Sequence, residues 1–420
     1  AAAQEGRTFT FKGFKRIHDE PGLNLWDQTT TLYITVFDGE DETAPVFGKG
    51  ILHIDPADFA RQMTTLKVNY GKDEAERLEY KVKFGEAFAG ALFDVYGGIF
   101  RGYNYFDPNG PPRKRRPLRA PSPTLHEFQT EDGCQLRLLR YQAGEKGPVI
   151  LSHGLGVSSL IFSIDTIDTN LVEFLCAHKY DVWLLDYRVS IELPAAKEQS
   201  SADEIAQYDY PAAVETVRNI TGAETVQMLV HCYGATTWTM SMLGGHLQHV
   251  RNAVVSQVSV HAEPPLLTRI KAGAHVPGLA ERLGFDHLDV DVDADSSLGD
   301  KLVDTLLRFY PIEREERTNN PVSRRITALY GQLYENDQLN HATDVNIHEM
   351  FGLANITSLK HLAMICRKKH VVALKGEDIY RPHLDRMAIP ITFISGAENA
   401  CFLPESTAKT VAALSEKNGK

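Results

Sequence analysis

The pattern of apolar positions changes near residue 125. Beyond it, five runs are almost continuously apolar: PVILSHG (148–154), DVWLLDY (181–187), VQMLVHC (226–232), AVVSQVSV (253–260) and ITFISG (391–396). Runs of this kind suit strands covered on both faces. Helical spacing fills 163–179, 201–219 and 233–247 between them. Such alternation predicts right-handed crossovers and a mostly parallel sheet. LHEFQTEDGCQLRLLRYQ (125–142) adds a hairpin turning at Asp132-Gly133. The stretch 261–389 is far longer than an ordinary connection. It reads as helical in KLVDTLLRFY, PVSRRITALYGQLY and VNIHEMFGLANITSLKHLAMICRKK. It is expected to be a helical cap over the mouth of the sheet, entered through Glu263-Pro264-Pro265.

Residues 1–105 differ. Alternating runs at 9–17, 31–39 and 47–54, with LKVNY (66–70) as a fourth, read as short strands, and 73–97 carries helical spacing. This predicts a small α+β accessory domain for packing or docking. Residues 106–124, FDPNGPPRKRRPLRAPSPT, form the linker, because repeated proline forbids regular structure. Its basic run (Arg113, Lys114, Arg115, Arg116, Arg119) is expected to strap across an acidic surface, the alternative being an anion or nucleic-acid contact. The expected organisation is therefore an accessory domain, a linker, an α/β core at 125–260 and 390–420, and a cap at 261–389.

Composition narrows the function. A net charge of −11 over 420 residues argues against general nucleic-acid binding. No run is long enough to span a membrane. The five cysteines (134, 176, 232, 366, 401) show no CxxC spacing. They suit a reducing, cytoplasmic compartment and neither a disulfide framework nor a metal site. No targeting segment is visible at either end. The acidic run LDVDVDADSSLGD (288–300) fails as a calcium loop, since Ala294 and Asp300 stand where glycine and a bidentate glutamate are needed.

The sharpest motif is LVHCYGATTWTM (229–240), at the junction of an apolar run and a helical one. Aligned on G-x-S-x-G it reads Val230-His231-Cys232-Tyr233-Gly234, lacking the first glycine. That motif needs a strained strand-to-helix turn exposing its central side chain. Gly234 gives room for the turn, and the helix N-terminus is expected to lower the Cys232 pKa. The alternative is a buried structural cysteine. SHGLGVSS (152–159) follows an earlier strand and is expected to form an oxyanion hole from the amides of Leu155 and Tyr233. Phosphate binding is disfavoured by the absence of G-K-[ST] and G-x-G-x-x-G.

Strand-HGLG, strand-HCYGA, a long insertion and strand-GAEN together resemble the α/β-hydrolase superfamily over about residues 125–420. More closely, HGLGVSS, TIDTN, DVWLLDYR, YDYPAA, HCYGATT and SGAENACFLPEST resemble a hydrolase-like region of some bacterial proteins. In those proteins it is fused behind a glucose–methanol–choline, cholesterol-oxidase-like flavin oxidoreductase. The resemblance implies that cysteine at the nucleophile position is a family trait. It does not imply flavin, and no cofactor is expected.

A hydrolase triad continues with an acid and then a histidine. Asn399 falls where the acid belongs, with Glu398 beside it; either would orient a histidine, unless Asn399 only shapes its turn. In the family the histidine follows one more strand, and no histidine follows His383 here. Three explanations stand: a second polypeptide supplies it, an earlier histidine such as His261 substitutes, or the chain is no hydrolase. His153 and His231 flank the site and are expected to shape its turns, with His153 also placed beside substrate. Tyr330, Tyr334 and Glu335 are expected to line a cap pocket. The expected activity is hydrolysis of an ester, lactone or thioester with a bulky apolar part through an acyl-Cys232 intermediate. Acyl transfer is the variant, and a non-catalytic module docking a redox partner is the alternative.

Overall fold

The computed structural model describes residues 2–4, 7–14, 31–53, 113–265, 286–290 and 320–419, with 61, 65 and most of 67–84. The expected helix at 301–310, most of the acidic run 288–300, the linker before Arg113 and the second half of the 73–97 helix lie outside the described residues. The chain divides into two compact units, Ala1–Asn104 with Arg308–Pro321 and Tyr105–Leu307 with Val322–Lys420.

In the first unit, β1 (Ala2–Gln4), β2 (Arg7–Phe14), β3 (Leu32–Phe37) and β4 (Val46–Leu52) form an antiparallel sheet in chain order. LKVNY is no strand: residues 67–70 are irregular.

The second unit is built on seven strands: β5 (Thr124–Gln129), β6 (Gln135–Gln142), β7 (Lys146–Ser152), β8 (Tyr180–Asp186), β9 (Val226–His231), β10 (Val250–Ser256) and, after the insertion, one further strand, β13 (Ile391–Ile394). The small antiparallel pair β11 (His287–Leu288) and β12 (Ala354–Asn355) lies within the insertion. The sheet order is β13-β10-β9-β7-β8-β6-β5. β6 is antiparallel to both its neighbours, to β5 through the hairpin expected at Gly133, whose φ is +89°, and to β8; the pairs β8–β7, β7–β9, β9–β10 and β10–β13 are parallel. This is the mostly parallel sheet that the strand and helix pattern predicts, in the α/β-hydrolase fold that the resemblance implies.

Alternation within the strands loads both faces. Ile150, Trp183, Leu185, Met228 and Val230 enter one core. Val149, Leu151, Val182 and Leu184 enter the other. Helix α1 (Leu171–Ala177) covers the second face with Val172 and Cys176. It starts later than the spacing suggests, because Asn170 and Glu173 close a reciprocal capping box there. Helices α2 (Tyr210–Thr221) and α3 (Tyr233–Gly244) cover the first face. In the insertion, α4 (Pro321–Leu329) joins a small separate core of Val290, Val322, Ile326 and Ile347. Helix α5 (Ile356–Lys368) instead buries Ile356, Leu359 and Ile365 in the main core. Helix α6 (Glu405–Asn418) ends the described chain. The basic segment is the strap expected: Arg116 Nη1 donates to Glu173 at 2.6 Å, and the Arg119 backbone N–H donates to the same carboxylate at 2.8 Å.

Where β7 meets α3 the chains come unusually close. A Cβ on Gly234 would lie 2.2 Å from the His153 carbonyl oxygen and 2.9 Å from Ser152 Oγ. Backbone oxygen cannot swing aside as a flexible side chain can. Gly234→Ala is therefore expected to destabilise the domain by about 1–3 kcal/mol, the usual cost of overpacking. A denaturant midpoint unchanged from wild type would contradict this.

Candidate active site

Cys232 sits at the step from β9 into α3 with φ +53° and ψ −122°. A non-glycine residue rarely adopts positive φ, and holding it there requires surrounding structure. That structure is visible. The Cys232 backbone N–H donates to Ser256 O on β10 at 3.1 Å, and the Cys232 carbonyl accepts from Thr236 N in the first turn of α3. Behind the turn, the Tyr210 hydroxyl donates to Gly234 O at 2.7 Å and lies 2.8 Å from Ser152 Oγ, while Tyr187 donates to His153 O at 2.9 Å. The His-Gly loop and the helix start are thereby held together. A Cβ on Gly154 would stand 3.6 Å from Cys232 Sγ, so the loop crosses directly in front of the thiol.

The thiol opens into a cavity of about 230 Å³. The core contributes Gly154, Leu155, Val157, Ile161, His231, Cys232 and Gln257; the insertion contributes Leu333, Tyr334, Met350 and Phe351; the last loop contributes Asn399, Cys401 and Phe402. Val157 bridges Phe351, and Gly352 N donates to Gly156 O at 3.0 Å, joining the insertion to the loop. Among the described residues, no carboxylate and no lysine or arginine lines this space, and no cluster of side chains suited to a metal ion occurs.

The electrostatics correct one expectation. Burial pushes the Cys232 thiol up to about 11, against the opposing pull of the Tyr233 backbone N–H. Desolvation disfavours the thiolate more than one helix terminus favours it. His231 Nδ1 lies 3.1 Å from Ser256 Oγ, and burial, with His153 nearby, pushes the imidazole down to about 4, so it is neutral at pH 7.

The structure brings some of the expected residues together and separates others. Leu155, Tyr334 and Asn399 line the cavity, and the Tyr233 N–H reaches Cys232 Sγ. Asn399 Oδ1 accepts from Cys401 N at 3.0 Å and Phe402 N at 3.1 Å, and its Nδ2 donates to Gln257 Oε1. It thus holds its own loop and faces Gln257. Glu398 is exposed and outside the lining. His153 is not beside the cavity: it is fully buried behind the loop, stacked 4.5 Å from Tyr187, with Nδ1 2.7 Å from Gly154 O. The Tyr330 hydroxyl is buried against Gly156 rather than lining the space. Glu335 caps a short turn at Asn336–Gln338, outside the lining. His261 pairs with His370, and its backbone N–H donates to Thr410 Oγ1 at 3.0 Å. The expected strand 253–260 ends at Ser256, because Gln257 takes φ +82°. The residue at the sheet edge is therefore Gln257, not His261. Gln257 and Cys401 were missed; the strand-end position would have found Gln257 had the boundary been placed correctly.

No known family profile matches the chain. Among curated proteins, Lipase 1 of Drosophila melanogaster is 31% identical over 123 residues, covering 27% of this chain and 28% of its own. Lipase lipl-1 of Caenorhabditis elegans is 32% identical over 132 residues, covering 27% and 32%. Human lysosomal acid lipase/cholesteryl ester hydrolase is 33% identical over 125 residues, covering 26% and 31%. The matched stretch is under a third of each of these relatives. Among solved structures, an esterase from Pyrococcus furiosus is 12% identical, covering 76% of this chain and 87% of its own, with a TM-score of 0.39. A hydrolase from Pseudomonas aeruginosa is 14% identical, covering 69% and 86%, with a TM-score of 0.40. At those scores the fold rests on strand order and the elbow, not on the superpositions.

A thiol with a raised pKa has a signature. Alkylation of Cys232 by iodoacetamide, followed by peptide mass spectrometry, is expected to rise about tenfold per pH unit from pH 7 to 10. A plateau already reached at neutral pH would show that the helix terminus wins. By strand order and elbow, the second unit has the α/β-hydrolase fold, and one stretch of the chain is similar in sequence to lipases.

Proposed function

We propose that this domain hydrolyses esters with an uncharged, apolar acyl part through a thioester on Cys232. The observation that carries the reading is the backbone of Cys232, held at positive φ on a strand-to-helix turn so that Sγ faces a cavity walled by Leu155, Val157, Ile161, Met350 and Phe351. Strain of that kind is maintained where a side chain must be presented.

In this scheme the Cys232 sulfur attacks the ester carbonyl carbon, and the thiol proton passes to a base. The carbonyl oxygen becomes an oxyanion facing the Tyr233 and Leu155 amides. Collapse breaks the carbon–oxygen bond, and the leaving alkoxide takes up the proton. Water then attacks the thioester and returns the thiol. The base is taken here as a neutral imidazole; His231 is the histidine in the described lining, and with its pKa held at about 4 it is a weak acceptor for this thiol. The raised thiol pKa makes this transfer the demanding step, so the rate is expected to climb with pH above neutrality. The apolar walls favour an alcohol acceptor as well, which would make the same intermediate serve acyl transfer.

Electrospray mass spectrometry after mixing with a short-chain p-nitrophenyl ester tests the scheme. One acyl group is expected on the Cys232 peptide, and Cys232→Ala is expected to lose on the order of a thousandfold in kcat/KM. Turnover untouched by Cys232→Ala would end the proposal. His231→Gln separates the bases: loss restored by added imidazole assigns the proton to His231, and unchanged turnover assigns it to a group outside the described lining.

A further inference from the structure

The basic strap does more than cover an acidic surface. Arg113 stands at the seam between the loop after Ile161 and the inserted segment that carries Met350 and Phe351. Its Nη1 and Nη2 donate to the two oxygens of Asp165 at 2.9 and 2.6 Å. Its Nε and Nη2 donate to the two oxygens of Glu349 at 2.7 and 2.9 Å. Asp165 belongs to the core side of the seam, and Glu349 is next in sequence to cavity-lining Met350. Both carboxylates are largely buried, and both share the single Nη2 of Arg113. Arg115 Nη2 reaches only Glu349, at 3.2 Å.

A bidentate guanidinium is the strongest neutral-pH bridge for two carboxylates. Beside the Arg115–Glu349 pair, further links join the same two sides: Thr166 Oγ1 to Thr343 Oγ1 at 2.8 Å, Asn340 Nδ2 to Thr166 O at 3.1 Å, and the backbone contacts of Val157 and Gly156 with Phe351 and Gly352. Take Arg113 away, and two largely buried carboxylates lose their shared cation, Glu349 keeping the longer Arg115 contact at 3.2 Å and Asp165 the Arg116 backbone N–H at 2.8 Å. Removing one partner of such a pair costs more than the pair itself contributes.

We propose that Arg113 is a positioning residue: a charge clamp that holds the Met350–Phe351 wall against the core and so sets the width of the opening to Cys232. The inference rests on this cavity being the substrate site, while its test needs no turnover. In the full chain, the rate at which Cys232 is modified is followed by peptide mass spectrometry with two reagents, iodoacetamide and the bulky fluorescein-5-maleimide. Cys134, Cys176 and Cys366, which lie outside the cavity lining, serve as internal references.

Arg113→Ala is expected to raise modification of Cys232 by the maleimide about tenfold, because two largely buried carboxylates lose their shared cation, and to change the iodoacetamide rate much less. Glu349→Gln, which leaves Arg113 on Asp165, is expected to raise the maleimide rate less than Arg113→Ala. The double variant Arg113→Ala/Glu349→Gln removes the repulsion and is expected to fall back toward wild type. Maleimide labelling of Arg113→Ala at the wild-type rate overturns the proposal. So does a double variant that labels as fast as Arg113→Ala, since that is what simple loss of contacts would give. Should Arg113→Ala fail to fold by circular dichroism, Arg113→Gln carries the same comparison.

Discussion

Gly234 lies so close to the His153 carbonyl that no side chain fits between them, and the site is arranged around that approach. It brings the first turn of α3 onto the loop after β7, and Tyr210 and Tyr187 hold both pieces from behind. With helix and loop pinned together, the single residue joining β9 to α3 has little freedom left. Cys232 is driven into positive φ, and its sulfur is turned outward, in front of Gly154. The strain at one residue is thus supported by packing at several, which is how a sparsely populated backbone conformation persists.

Two influences on the Cys232 thiol oppose each other, and their sizes decide the chemistry. A helix N-terminus provides partial positive charge over about one turn. Closure of the loop and the apolar wall removes the water that would solvate a thiolate. The second effect is larger here, so the resting group is a thiol, and under the proposed scheme charge is created only during reaction. In that scheme, an environment that opposes the resting anion while amides face the forming oxyanion favours the transition state over the ground state.

Much of this was legible in the sequence because strands buried on both faces read as unbroken apolar runs; β7, β8 and β9 fall within two residues of the expected limits. The elbow was equally legible, since Cys-x-Gly between strand and helix admits few geometries. What was not legible depended on boundaries and burial. One residue in the left-handed region, Gln257, ended β10 early and moved His261 away from the sheet edge. His153 sits in a motif that faces the site, yet its ring turns back into the core, stacks on Tyr187 and lies 3.7 Å from buried Asp186. The sign of the thiol shift was missed because a helix terminus is visible in sequence and a desolvating wall assembled from Val157, Met350 and Phe351 is not.

The described lining of the cavity carries dipoles but no fixed charge. The described walls themselves add no charge of the kind that focuses attraction in charged clefts. Capture then depends on collision and on shedding water from apolar surface, so encounter with an uncharged ligand is indifferent to ionic strength. A ligand bearing a charge would have to leave that group outside the walls or strip its hydration without compensation. On the proposed reading, selection is made by size and solvation, and partition into the cavity follows the same order as partition from water into oil.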